Sequence, residues 1–79
     1  MTNKINKAQV LQSFGRHLKE KRAKLTCTSQ ERMAALLQMD RSYIGGIEQG
    51  RRNPSLISLV RIANGLGISL AELFEGFEA

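Results

Sequence analysis

Apolar positions recur along the chain at helical intervals and are interrupted by short polar stretches. Leu11, Phe14, Leu18 and Leu25 follow one another at spacings of three, four and seven, one face of a helix from about Gln9 to Lys24. Arg16, Lys19, Glu20, Lys21, Arg22 and Lys24 take its remaining sides. The pattern breaks over Leu25–Thr28. Thr28 or Ser29 then caps a second helix, with Met33, Ala34, Leu36 and Leu37 on its buried side; Thr28 and Glu31 have capping-box spacing. Gln38-Met39 reads as a tight turn. Asp40 is a good N-cap for a short third helix, Arg41 to about Gln49, with Tyr43, Ile44 and Ile47 turned inward and Gly50 as its stop. Arg51-Arg52-Asn53 forms an exposed loop. Pro54 leads into a fourth helix capped by Ser55, carrying Leu56, Ile57, Leu59, Val60, Ile62, Ala63 and Leu66 and ended by Gly67. Ser69 and Glu72 repeat the capping-box spacing and open a fifth helix with Leu70, Leu73 and Phe74. Val, Ile and Thr never alternate with polar residues, so nothing predicts a strand. The reading is all-α: a compact five-helix domain over residues 10–79, preceded by a flexible segment, residues 1–9.

Composition narrows the function. Seventy-nine residues leave room for one small domain, whose core is modest unless another subunit covers part of it. Hydrophobic residues at 42% are enough for a globule, and no run is long enough for a membrane span or a signal peptide. One cysteine, Cys27, excludes an internal disulfide framework and fits a reducing cytoplasm, where it reads as an ordinary loop thiol. His17, the one histidine, has no second ligand at zinc spacing, so no metal is expected. No catalytic triad, phosphate loop or paired carboxylates can be assembled, so neither catalysis nor a cofactor is expected. The net charge is +5 and unevenly spread. Through Asn53 there are eleven Lys/Arg against four Asp/Glu; beyond it Arg61 faces Glu72, Glu75 and Glu78. A basic first two thirds and an acidic last third predict one face for a polyanion and another for something else.

The segment Gln30–Gln49 gives that polyanion a shape. Ala34 is a small side chain four positions after Gln30, Gln38 marks a turn, and Ile44 and Ile47 follow fourteen and seventeen positions after Gln30. Two steeply crossing helices joined by a short turn need a small residue where their backbones meet, and the two isoleucines lock the second helix onto the first. That register turns Arg41, Ser42, Gly45, Gly46 and Gln49 away from the domain, on a helix able to enter a DNA major groove.

These residues, with the run Asp40-Arg41-Ser42-Tyr43-Ile44-Gly45-Gly46-Ile47-Glu48-Gln49-Gly50-Arg51-Arg52-Asn53-Pro54-Ser55-Leu56, resemble the helix-turn-helix of the Xre/Cro-type, phage-repressor-like family. The resemblance spans about Phe14 to Phe74 and is strongest toward controller proteins of restriction–modification systems. It implies a homodimeric transcriptional regulator of a pseudo-palindromic operator in double-stranded DNA. Carried over position by position, Arg41 and Ser42 would reach base edges, with Gly46 and Gln49 farther along the same face. Gln30 and Ser29, Tyr43, Arg51, Arg52 and Asn53 would meet the DNA backbone. Arg can bond bidentately to guanine, so Arg41 should dominate specificity, whereas Ser reads bases poorly and glycine offers no reading group. Gly45 and Gly46 are read as allowing close approach to DNA. Glu48 would repel phosphate and is expected to pair with a neighbouring arginine. The family usually has glycine at the turn; if that position needs positive φ, Gln38 is strained by about 1 kcal/mol.

Leu56, Val60 and Ala63 predict one apolar stripe, with Ile57 and Ile62 pointing elsewhere and Leu70 and Phe74 adding a second patch. Leu56, Ile57, Val60, Leu70 and Phe74 are therefore the expected dimer contacts. If the protein activates transcription, RNA polymerase becomes a further partner. A phage-type repressor, or an antitoxin using the same fold to bind a protein, is the alternative. The latter usually needs extra sequence to wrap a toxin, and only Met1–Gln9 and Gly76–Ala79 are spare.

Overall fold

A computed structural model describes residues 4–25 and 29–79. Among them five helices follow in order: α1 (Lys7–Leu25), α2 (Gln30–Leu37), α3 (Arg41–Glu48), α4 (Leu56–Leu66) and α5 (Leu70–Phe74). There is no strand among the described residues. α1 packs on α3, α2 on both α3 and α4, and α4 on α5.

Local signals set most of the helix ends. Asp40, Ser55 and Ser69 are N-caps, accepting from the amides of Ser42, Ser58 and Glu72. Ser69 and Glu72 complete both halves of a capping box at 3.0 Å each. Ser29 caps α2, accepting from the Arg32 amide at 3.2 Å; the alternative, Thr28, and its box with Glu31 lie outside the described residues, as does Cys27. α1 starts at Lys7, so residues 7–9 of the segment expected to be flexible are helical. The reason is Asn6, whose Oδ1 accepts from the Gln9 amide at 3.1 Å in the manner of an N-cap.

The turn between α2 and α3 carries a left-handed residue. Gln38 has φ 54 and ψ 42, the one described non-glycine at positive φ. Its neighbour Met39 donates back to the Ala34 carbonyl at 2.9 Å, which closes α2. Arg61 on α4 donates to the carbonyls of Leu37 and Gln38 at 3.2 and 3.3 Å and holds the same turn from below.

The core is built from Phe14, Leu18, Met33, Ala34, Leu37, Ile44, Ile47, Ile62, Ala63, Leu66 and Leu73. Ala34 of α2 and Ile44 and Ile47 of α3 are all buried in this one core, and the two helices pack on each other, as their spacing predicts. Three positions depart from the periodicity. Leu25 at the end of α1 is exposed, and so is Leu36, since α2 buries only Met33, Ala34 and Leu37. Arg22, read as a solvent-side residue, is buried: it continues the stripe of Phe14 and Leu18 by a further helical turn. At the other end His17 joins Phe14, Phe74 and Phe77 in an aromatic cluster with centroids 5.3–6.2 Å apart. Its Nε2 lies 2.7 Å from the Leu73 carbonyl and must donate, since that oxygen can only accept.

Candidate nucleic-acid interface

α3 is the element that positions the site. Asp40 Oδ1 accepts from both the Ser42 amide (2.9 Å) and the Ser42 hydroxyl (2.8 Å), which starts the helix sharply and leaves Arg41 and Ser42 at its exposed tip. Those bonds, the hydroxyl's first, hold the Asp40 carboxyl below its ordinary value. The Ser42 proton is thus committed to the cap, and Ser42 faces solvent as an acceptor. Arg41 is exposed, with its Nε 3.6 Å from Glu31 Oε1 on α2. A pair this exposed contributes little and can be exchanged for another partner. Gln49, Arg51, Arg52 and Asn53 are exposed beyond the end of α3.

The end of α3 is fixed by a buried ion pair. Arg22 grips Glu48 in a fork, Nε to Oε2 at 2.7 Å and Nη2 to Oε1 at 2.9 Å. The hydrogen bond to Glu48 raises the Arg22 guanidinium above its ordinary value, outweighing the opposing effect of burial. Gln30 Nε2 donates to the same Oε1 at 2.7 Å, so one carboxylate ties the start of α2 and the end of α3 to α1. The expectation that Glu48 pairs with an arginine holds, though the partner lies 26 residues away rather than nearby. Gly15 makes the approach of α1 possible: a Cβ there would lie 2.5 Å from the carbonyl oxygens of Ile47 and Glu48. Gly50 is at φ +77, where Cβ-bearing residues are strained, and a Cβ would also meet Gln12 at 2.8 Å.

Two of the predicted outward positions are not outward. Gly45 and Gly46 are both buried. A side chain at Gly45 would meet Gln30 Oε1 at 3.3 Å, and one at Gly46 would meet Arg52 Cγ at 2.5 Å. Gly46 is therefore covered in the free protein, where the stem of Arg52 lies on it. Ser29 and Gln30 sit together at the start of α2, Ser29 exposed as its cap and Gln30 half-buried with its amide on Glu48. Tyr43 is half-buried; its hydroxyl donates to Ser58 Oγ at 3.2 Å, and its ring has the Arg52 guanidinium carbon 5.9 Å from its centroid. Two arginines that brace this region without having been singled out as site residues are Arg22, on Glu48, and Arg61, on the turn after α2. The position of Arg22 on the Phe14–Leu18 stripe was the signal for the first; nothing local marks the second.

The expected dimer contacts divide in two. Leu56, Ile57 and Val60 are exposed at 64%, 69% and 37%, on one side of α4. Leu70 and Phe74 are half-buried against the core. Ala63 and Ile62 both belong to the core, so the exposed stripe contains Ile57 in place of Ala63. Phe74 also lines a shallow apolar groove with Val10, Leu11, Phe14, Pro54 and Phe77.

Comparison with known proteins agrees with this geometry. A family profile described as helix-turn-helix matches residues 18–73. The chain is 49% identical over 65 residues to control protein C.MunI from Mycoplasma sp, covering 82% of this chain and 88% of that protein. It is 34% identical over 62 residues to control protein C.BamHI from Bacillus amyloliquefaciens, covering 78% and 76%. The structure is similar to the restriction-modification controller protein C.AhdI from Aeromonas hydrophila, with TM-score 0.75 and 43% identity over 85% of this chain and 98% of that one. It is also similar, with TM-score 0.75 and 35% identity over 84% and 86%, to the controller protein C.Esp1396I solved as a tetramer on its natural 35 base-pair operator.

Proposed function

Because the chain belongs to the helix-turn-helix family, with control proteins of restriction–modification systems among its relatives, we propose that it is a transcription regulator that controls such a system. It reads operator DNA in the cytoplasm as a homodimer and is not an enzyme. α3 enters the major groove with Arg41 at its leading end as the principal base reader; Ser42 and Gln49 flank it. Ser29, Gln30, Tyr43, Arg51, Arg52 and Asn53 meet the backbone on either side. One observation supports this most strongly. The tip of α3 and the loop after it expose Arg41, Arg51 and Arg52, while Glu48, the one acid within the helix, is buried against Arg22. Burial of Glu48 thereby removes one charge that would repel phosphate from the end of α3, where Arg51 and Arg52 are exposed.

Leu56, Ile57 and Val60 of α4, with Leu70 and Phe74 of α5, form the dimer contact. A relative assembles as a tetramer with a 35 base-pair operator, and a similar filling of adjacent sites would let protein concentration set the output. Where the protein activates, RNA polymerase is the further partner. Selection from a random duplex pool at near-physiological salt tests the reading. It should enrich a pseudo-palindrome with half-sites about one helical turn apart. A pool that remains random after several rounds would overturn sequence-specific regulation.

A further inference from the structure

The middle of α3 contains a glycine that the helix has no conformational use for. Gly46 lies at helical φ, where glycine is a poorer helix former than alanine. Its surroundings give it a different use. The three atoms nearest a Cβ built there are all from the Arg52 side chain: Cγ at 2.5 Å, Cβ at 3.5 Å and Cδ at 3.6 Å. The backbone is pinned to the same residue, since the Gly46 carbonyl accepts from the Arg51 amide at 2.8 Å and the Arg52 amide at 3.2 Å. The far end of Arg52 is placed as well. Its guanidinium carbon is 5.9 Å from the Tyr43 ring centroid, within range of a cation–π contact, and the Tyr43 hydroxyl is tethered to Ser58. Tyr43 and Gly46 are three apart on α3 and so share the side of the helix over which Arg52 lies.

We propose that Gly46 is a positioning residue for Arg52: the missing side chain forms a seat that lays the arginine stem along the recognition helix and aims its guanidinium past Tyr43 toward the DNA. The proposal rests on α3 and its following loop being the DNA-binding surface. An arginine fixed beforehand loses less freedom on binding than one that samples solvent, so the seat strengthens the contact without touching DNA. A side chain at residue 46 fills the seat, and the Arg52 stem must rotate off the helix.

The test is a double-mutant cycle of Gly46→Ala and Arg52→Ala, with binding measured on the selected operator over a range of salt. Alanine favours helix and meets a flexible side chain, so thermal melting of Gly46→Ala should match or exceed that of the parent. Arg52→Ala should weaken binding and reduce the salt slope by about one. Gly46→Ala alone should weaken binding roughly three- to tenfold, and should have almost no further effect once Arg52 is alanine. In the DNA-free protein, nitrogen relaxation of the Arg52 Nε should show an ordered side chain that becomes mobile in Gly46→Ala. Equal losses from Gly46→Ala in both backgrounds would mean that DNA itself packs on Gly46, which would overturn the seat and leave the DNA-binding reading intact. An Arg52 side chain equally mobile in parent and variant would also overturn it. If Arg52→Ala changed neither affinity nor salt slope on any duplex, the premise that this surface meets DNA would fail instead.

Discussion

At the scale of single residues, the proposed interface divides specificity and grip between Arg41, the first residue of α3, and Arg52, in the loop after it. Arg41 stands at the exposed helix tip with only a loose partner in Glu31, 3.6 Å away, and can present both terminal nitrogens to a guanine. Arg41→Ala should cost about 1–3 kcal/mol of discrimination at one base pair and little on scrambled duplex. Arg52→Ala should weaken selected and scrambled duplexes alike; equal effects of both changes on both duplexes would sink this division. Glu48 acts differently, through the fold. Removing one partner of a buried, forked pair strands the other charge, so Glu48→Ala should destabilise the domain by about 3–5 kcal/mol. Combining it with Arg22→Met should recover much of the loss, as read by urea unfolding. Gln38, at φ 54, has the opposite sign of effect. Gln38→Gly relieves left-handed strain and gives back some chain entropy, for a net gain of up to about 1 kcal/mol.

At the scale of elements, caps connect helix ends to pH. Asp40 is held below its ordinary value of 3.8 by the hydroxyl and then the amide of Ser42, and Glu72 below 4.5 by the amide and then the hydroxyl of Ser69. A carboxyl whose folded value is depressed contributes stability that is complete above its unfolded value and is lost as pH falls through the folded one. Thermal melting should therefore fall below about pH 4.5, and Asp40→Asn with Glu72→Gln should flatten that fall while keeping both helices capped. A melting curve with the parent's pH dependence would contradict it. The same caps explain what could be read from the chain. Asp40, Ser55, Ser69, Gly50 and Gly67 act within a few residues of themselves, and each marks a helix end where the sequence places one. Ala34, Ile44 and Ile47 were legible because a steep two-helix crossing constrains residue size over a short span. Arg22 and Glu48 were only half legible, because their bond joins positions 26 apart. Gly46 was misread because periodicity gives the direction of a helix face and says nothing of a following loop that folds back over it. Leu36 was misread for a related reason: an eight-residue helix touching two neighbours buries less of its circumference than its apolar content implies.

At the scale of the whole molecule, charge divides along the chain in a way that suits the proposed two-fold assembly on DNA. The basic residues concentrate before Pro54, and the last third holds Arg61 against Glu72, Glu75 and Glu78. That acidic third includes α4 and α5, where Leu56 and Ile57 are about two thirds exposed. Leu56, Val60 and Ile57 span roughly a quarter of the helix circumference beside the buried Ala63, a strip that a second copy can cover with its own. Every substitution in such a contact acts twice, once from each subunit. Ile57→Gln is the informative change, since it adds no charge to perturb DNA binding and removes no core contact. Burial of an isoleucine contributes about 1.5–3 kcal/mol, so loss of part of that from each subunit should raise the dimer Kd roughly tenfold to a hundredfold. In sedimentation the parent should be dimeric at concentrations where Ile57→Gln is monomeric. The melting temperature of the parent should rise with protein concentration, and that of the variant should do so far less. On DNA, affinity for an isolated half-site should be unchanged, while binding to the full pseudo-palindrome should weaken and lose its steepness. If both proteins sediment alike and melt alike at every concentration, α4 is not the contact, and the half-site spacing of the operator must be set by another surface.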